Sequence, residues 1–219
     1  MKSIPGLTSF TFIPMLTATD AKTYPDSGTK KDLEKALKAG KAGSQNSNLL
    51  LHVSRLQEID SDLEYARSLC HYFKNENILM DILHPHSFTH KEREKYFSRV
   101  FENFPKKALV FLDPDIGLEE SKPDQRHLLF DEVKMIYDHL DAGSILLIYQ
   151  HFPRKVHEDY IRQRCSQLSE LTGSSPFTIT DNEIIFFLCT KSPGMQDRLE
   201  TVLESYANSY PALCSHSCR

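Results

Sequence analysis

Two short, continuously apolar runs are the feature that most constrains the fold of this chain. The first covers Ala108 to Leu112 and stops at Asp-Pro, and the second covers Ser144 to Tyr149 and stops at Gln-His-Phe-Pro. Runs that are apolar on both faces are typical of strands inside a sheet that is covered on both sides. Between them, apolar residues recur at helical spacing from Leu128 to Leu140, and Gly143 follows as a stop.

This order of strand, helix and strand predicts a βαβ unit, in which the two strands are parallel neighbours joined by a right-handed crossover. Ligands of open parallel sheets bind beyond the carboxyl ends of the strands. Polar residues gather at that predicted edge of the sheet: Asp113, Asp115 and Glu119 after the first strand, and Gln150, His151 and Arg154 after the second. We therefore predict the functional site at this edge.

The segment Asp113-Pro-Asp115 is the sharpest local signal in the chain. Proline fixes φ, so the chain leaves the sheet at a defined angle. Two carboxylates this close could hold a divalent metal, or one of them could accept a hydrogen bond from a substrate amine. The alternative interpretation is a structural Asp turn, with Gly117 in a left-handed conformation.

The segment that follows the second strand offers an amide, an imidazole and a guanidinium. His151 could shuttle a proton near neutral pH, and Arg154 could bind a phosphate or carboxylate with two hydrogen bonds. We take Asp113, Asp115 and His151 as candidate catalytic residues. Glu119, Gln150 and Arg154 are candidates for substrate binding, and an ordinary strand end is the alternative for this segment.

The rest of the chain supplies further strands and helices. Residues 7–16 predict a strand broken by Pro14, and residues 77–83 predict another. Thr89 and Glu92 match a capping box, and residues 156–171 predict a helix that Gly173 ends. The fold class predicted is α/β, a Rossmann-like three-layer sandwich with a mostly parallel sheet. A C-terminal antiparallel hairpin should turn at Asp181-Asn182, within one domain over residues 1–210.

Composition and charge exclude few functions, but they bear on whether the protein binds nucleic acid or a membrane. The net charge of −4 gives no general attraction to nucleic acid, although the basic segment Lys30–Lys41 is either a solvated helix face or a phosphate-binding surface. No apolar run approaches the roughly 20 residues that span a bilayer, and the first residues contain no signal-peptide core. We therefore expect a protein with no membrane association.

The five cysteines are odd in number and several fall within predicted elements, which predicts reduced thiols and a cytoplasmic location. Cys214 and Cys218 flank His216 near the C-terminus, but a closed zinc site normally needs four ligands. A loop with His84 and His86 also lacks a clear third ligand. We therefore predict no metal site there, and a flexible tail over residues 211–219.

The segments Phe111-Leu-Asp-Pro-Asp-Ile-Gly-Leu-Glu119 and Tyr149-Gln-His-Phe-Pro-Arg154 resemble the paired signatures of an uncharacterised bacterial family of hypothetical proteins. More distantly, the order strand-Asp-Pro, helix, strand, helix, hairpin is similar to the second half of class I S-adenosylmethionine-dependent methyltransferases. That resemblance implies that Asp113 holds the amine to be methylated. Asp115 and Ile116 replace the second proline and the base-stacking aromatic of the motif, and the sequence has no glycine-rich cofactor turn.

Three functions are consistent with these patterns. The first is a methyltransferase-like enzyme that uses S-adenosylmethionine and acts on a nucleic acid or a nucleotide-like substrate. The second is a nuclease or phosphohydrolase in which Asp113 and Asp115, with Glu119 as a third candidate ligand, hold Mg²⁺ or Mn²⁺, and His151 or Arg154 faces the phosphate. Glu132 and Lys134 imitate a nuclease pattern but fall on a predicted helix. The third is a non-catalytic binding module. The sequence leaves the oligomeric state open.

Overall fold

The computed structural model describes residues 4–17, 46–56, 59, 62–210 and 212–218. Its strands, numbered in chain order, are β1 Ser9–Met15, β2 Leu79–Ile82, β3 Ala108–Pro114, β4 Gly117–Leu118, β5 His127–Leu128, β6 Ile145–His151, β7 Phe177–Thr180, β8 Ile184–Cys189 and β9 Cys214–Ser217. The helices are α1 Ser47–Leu56, α2 Asp62–Asn75, α3 Arg93–Glu102, α4 Phe130–His139, α5 His157–Thr172 and α6 Pro193–Ser209.

The central sheet has the strand order β2-β1-β3-β6-β8-β7-β9, and β4 pairs with β5 separately. Strands β2, β1, β3 and β6 run parallel, whereas β8 is antiparallel to both β6 and β7. The predicted neighbours β3 and β6 are thus confirmed, with Leu109 opposite Ile145 and Leu112 opposite Ile148. The fold is the predicted Rossmann-like α/β arrangement with an antiparallel C-terminal part.

Helices cover both faces of the sheet because successive side chains of a strand point to opposite faces. On one face, residues such as Val110, Leu112 and Ile148 pack against α3, α4 and α5 in the largest core cluster. On the other face, α6 covers the β7–β8 side, and α1 and α2 cover β1 and β2. This second face also carries the candidate site.

Two prolines lie within strands, where the sequence predicted a break. Pro14 stays in β1 because β2 pairs with β1 only as far as Phe12, so no hydrogen bond to β2 is required at Pro14. Pro114 ends β3, so Asp113 belongs to the strand instead of following it. This position decides the direction of the Asp113 side chain.

The C-terminal residues, for which the sequence predicted a flexible tail, form strand β9 at the edge of the sheet, antiparallel to β7. This strand brings Cys218 next to α5, where it forms a disulfide with Cys165 at a Cα–Cα distance of 5.9 Å. The prediction that all cysteines are reduced is therefore wrong for this pair. The two residues are 53 positions apart in the chain, so only the fold could pair them.

Other predictions are confirmed locally. The Glu92 carboxylate accepts hydrogen bonds from the backbone N–H and the hydroxyl of Thr89, at 3.0 and 2.8 Å. Gly173 ends α5 in the left-handed conformation. The basic segment Lys30–Lys41 lies outside the described residues. In the part of the chain that the structure describes, no helix has the length and apolar character needed to cross a membrane.

Candidate functional site

A row of aromatic rings crosses the second face of the sheet from β1 to β8. Phe12 stacks on Phe111 with ring centroids 5.3 Å apart, and Phe111 approaches Phe186 at 6.1 Å. Phe186 in turn contacts Tyr149 at 5.6 Å. These residues belong to four different strands and lie on one face because each occupies an equivalent position in the alternation of its strand.

The aromatic row forms the floor of a cavity of about 650 Å³, which we call the aromatic pocket. Helices α1 and α2 contribute Leu49 and Tyr65 to its walls, and the ends of β1, β3 and β6 contribute its polar rim. Asp113, Asp115 and His151 all line this pocket. Its volume lies within the range of about 300–1,000 Å³ that is usual for small-molecule sites.

Asp113 is the polar residue that stands out in the pocket. Its side chain projects on the same face as Phe111, two residues earlier in β3. Among the described residues, its carboxylate has no hydrogen-bond or ion-pair partner. Burial, together with the nearby Asp115 carboxylate, raises the pKa of Asp113 to about 6. The group is therefore mostly ionised at neutral pH, and the described part of the chain offers it no donor.

Asp115 lies at the exposed rim of the pocket, beyond the end of β3. Its Oδ2 atom accepts a hydrogen bond of 2.5 Å from the hydroxyl of Thr17, which follows β1. This contact joins the chain segments that leave two neighbouring strands. Asp115 therefore fixes the rim and adds negative charge beside Asp113, while one of its oxygens is already engaged.

Tyr149 and His151 form a hydrogen-bonded pair on the β6 side of the pocket. The Tyr149 hydroxyl lies 3.0 Å from His151 Nε2, and the two rings meet edge to face. Partial desolvation at the rim lowers the pKa of His151, so the ring is neutral at neutral pH. Burial and then the Asp113 charge raise the pKa of Tyr149 to about 12. The pair can pass a proton but carries no charge to balance Asp113.

Gln150 lies between these two residues in the chain but points to the opposite face of the sheet, where it is buried. Its Oε1 accepts a 2.6 Å hydrogen bond from the Leu118 N–H, and its Nε2 donates to the His151 carbonyl at 2.6 Å. Gly117 packs directly on this amide with φ of +124°, and a Cβ there would collide with the Gln150 side chain. Gln150 therefore anchors the loop after β3.

Glu119 and Arg154, the other two predicted substrate-binding residues, do not line the pocket. Glu119 accepts a 3.2 Å hydrogen bond from the Phe130 N–H at the start of α4, which is a favourable place for a carboxylate. Arg154 is exposed after the end of β6 and makes no hydrogen bond or ion pair with another described residue. The structure brings together three of the six predicted residues.

Sequence reasoning missed the aromatic part of the site. Tyr149 precedes His151 by two residues and Phe111 precedes Asp113 by two, so the alternation of each strand already placed these pairs on one face. Phe12, Phe186 and Tyr65 had no such local signal, because their proximity depends on the strand order and on the packing of α2. Inspection of the residue two positions before each polar candidate would therefore have identified Tyr149 and Phe111.

Fold and site together make this an α/β Rossmann-like protein with an acidic, aromatic pocket at the carboxyl edge of its parallel strands. Comparison with protein-family models, with curated proteins and with solved structures gave no match to this chain.

Proposed function

We propose that the protein is a methyltransferase-like enzyme whose aromatic pocket binds an amine-bearing, nucleotide-like substrate. The observation that carries this proposal is the Asp113 carboxylate inside the aromatic pocket, which has no hydrogen-bond or ion-pair partner among the described residues. A carboxylate with free lone pairs accepts hydrogen bonds, and an amine on a planar ring donates them in the plane of that ring. Hydrogen bonding from Asp113 would orient the amine and favour the charge that develops on its nitrogen.

The aromatic row suits the ring of such a substrate. Phe12 and Phe111 are stacked on one another with an interplanar angle of 17°, and together they line the pocket with aromatic surface beside Asp113. Stacking of a base on an aromatic side chain contributes about 1–3 kcal/mol per base. The pocket thus combines a surface for the ring with an acceptor for its amine.

S-adenosylmethionine, when bound, would supply an electrophilic methyl group. Aromatic faces attract a sulfonium cation, so Tyr149, which lines the pocket beside the Phe12–Phe111 pair, would fit that group. Rossmann-like folds hold such ligands partly through the loop after the first strand. The segment that follows β1 in this chain lies mostly outside the described residues. The order β3, α4, β6, α5 and the β7–β8 hairpin agrees with the order of elements behind the resemblance to methyltransferases.

The residues of the hydrolase pattern are engaged elsewhere. Glu132 is buried and binds Arg93 through both of its carboxylate oxygens, and Lys134 pairs with Asp138 at 2.6 Å. This leaves Asp113 and Asp115 as the acidic pair for a metal in the alternative function. The binding-module hypothesis gains no support from a pocket of this volume. A nucleic-acid or nucleotide partner and a cytoplasmic location stay predictions.

The test is methyl transfer itself. The purified chain would be incubated with S-adenosylmethionine carrying a labelled methyl group and a panel of nucleosides and nucleotides, and S-adenosylhomocysteine binding would be measured by calorimetry. We expect transfer to an amine-bearing member of the panel and at least about a hundredfold loss in Asp113→Asn, in line with the loss of a positioned catalytic group.

The matched control is Asp81→Asn, because Asp81 is exposed on β2 and does not line the pocket. It should keep full activity. Absence of both S-adenosylhomocysteine binding and methyl transfer would refute the proposal. Hydrolysis of a nucleotide in the presence of Mn²⁺, abolished by Asp113→Asn, would favour the hydrolase instead.

A further inference from the structure

We propose that the aromatic pocket selects its ligand by charge: it accepts a neutral or cationic aromatic amine of nucleoside size and excludes ligands that carry a phosphate into the pocket. This inference rests on the proposed function, because it concerns the same site, and it names the class of substrate. It narrows the predicted substrate from nucleotide-like compounds to nucleosides, free bases and similar amines.

The first argument concerns the charged side chains that line the pocket. The described residues that line it include two carboxylates, Asp113 and Asp115, and one histidine, but neither a lysine nor an arginine. Proteins commonly bind phosphate groups with arginine, with lysine or with free N–H groups of a helix N-terminus. Helix α1 contributes Leu49 from its first turn to the pocket, but the Leu49 N–H already donates a 3.0 Å hydrogen bond to Asn46 Oδ1. Among the described lining residues, the charged groups are therefore all negative at neutral pH, and an anionic ligand would meet repulsion.

The cationic side chains that follow β6 do not offset this charge. Lys155 binds Glu120 at 3.1 Å and lies over the ring of Tyr160, which places it on the α5 side of the sheet. Arg154 is exposed and does not line the pocket. A phosphate attached to a ligand could reach Arg154 only from outside the pocket. The negative charge of the pocket thus remains uncompensated by these two residues.

The second argument is the effect of Asp113 on its surroundings. Its charge raises the pKa of Tyr149 on β6 and of Tyr65 on α2, after the larger effect of burial in each case. The field of this carboxylate therefore reaches opposite walls of the pocket. Among the described residues, the titratable groups that face Asp113 are Asp115 just after its own strand, Tyr149 and His151 from β6, and Tyr65 from α2. None of them is cationic at neutral pH.

The third argument concerns the ligand that such a pocket attracts. An amine donates to Asp113, and any positive charge on the ligand is stabilised by both carboxylates and by the aromatic faces. The rings of Phe12, Phe111 and Phe186 provide area for a planar group without adding charge. Adenosine and cytidine supply the amine and the planar ring without any negative charge, whereas their monophosphates add up to two negative charges.

The experiment compares matched ligand pairs by calorimetry on the full chain at neutral pH: adenosine with adenosine monophosphate, and cytidine with cytidine monophosphate. We expect the preferred nucleoside to bind about tenfold or more tightly than its monophosphate, which corresponds to ~1.4 kcal/mol. Asp113→Asn should reduce that ratio by several fold, and Asp81→Asn should leave it unchanged. Lowering the pH below about 6 should also reduce it, because Asp113 is then protonated and the phosphate loses one of its charges.

Equal or tighter binding of the monophosphates would overturn the proposal, and so would binding of neither member of either pair. Thermal unfolding of each variant establishes that a lost preference reflects the pocket and not the fold. Failure of the two proposals can be told apart. A nucleoside preference without methyl transfer would refute the proposed function alone, and methyl transfer to a phosphate-bearing substrate without preference would refute the charge selection alone.

Discussion

Replacement of Asp113 by asparagine should stabilise the free protein. Burial and the Asp115 charge raise the pKa of Asp113 from 3.8 to about 6, so the ionised side chain is less favourable in the folded protein than in the unfolded chain. A shift of about 2 units corresponds to ~3 kcal/mol. Because the side chain keeps some contact with solvent, we expect Asp113→Asn to increase the free energy of unfolding by about 1–2 kcal/mol near pH 8.

The sign of this effect fixes its pH dependence. A carboxyl whose pKa is higher in the folded state destabilises the fold fully above about pH 6, and this penalty disappears as the pH falls through the ordinary value of 3.8. The advantage of the variant should therefore be largest near pH 8 and should shrink by more than half at about pH 4. The reason is that burial and the neighbouring Asp115 carboxylate make the ionised form of Asp113 costly in the folded protein.

Thermal unfolding of the wild type, Asp113→Asn and the control Asp81→Asn over this pH range provides the assay. For a chain of this size, about 1 kcal/mol corresponds to a change in Tm of roughly 2–4 °C. Asp81 is exposed, so its replacement should change Tm little at any pH. A lower Tm of Asp113→Asn at pH 8, or an increase that does not depend on pH, would show that the carboxylate is better satisfied than the structure indicates.

Three further predictions concern the stability of the fold. Gly117→Ala should lower the free energy of unfolding by about 2 kcal/mol or more, because φ is +124° and the new Cβ meets the Gln150 amide. Urea unfolding measures this change, and an unchanged free energy of unfolding would contradict the close contact between Gly117 and Gln150. Glu132→Ala leaves Arg93 buried and charged without its carboxylate partner, so we expect the free energy of unfolding to fall by about 3–5 kcal/mol. A decrease below about 1 kcal/mol would contradict this expectation. Cys218→Ser should cost about 2–4 kcal/mol by opening the bond to Cys165. Reductant should destabilise the wild type but not this variant, and equal effects on both would argue against the disulfide.

The sequence predicted those features of the structure that depend on patterns among neighbouring residues. The two apolar runs predicted β3 and β6 as parallel neighbours, and the register from Leu109 to Leu112 confirms that pairing. The polar residues after them were expected at one edge of the sheet, and Asp113, Asp115 and His151 do line one pocket. These features depend on residues within a single βαβ unit, where chain connectivity limits the possible arrangements.

Roles that depend on distant parts of the chain could not be predicted in this way. Gln150 looked like a ligand-binding amide, but alternation turns it to the other face, where it binds the backbone of Leu118. Glu119 looked like part of the site, but α4 begins where its carboxylate can accept the Phe130 N–H. Both polar groups have partners that the sequence alone did not identify.

The sequence by itself determined the type of each central element and the edge of the sheet at which charged residues collect, because hydrophobic periodicity is a property of neighbouring residues. Only the tertiary structure decided that Phe12, Phe111 and Phe186 would form one surface beside Asp113, and that Cys165 would meet Cys218. Those contacts join residues from separate strands and helices. Their proximity results from strand order and from the packing of the whole core, which no local pattern records.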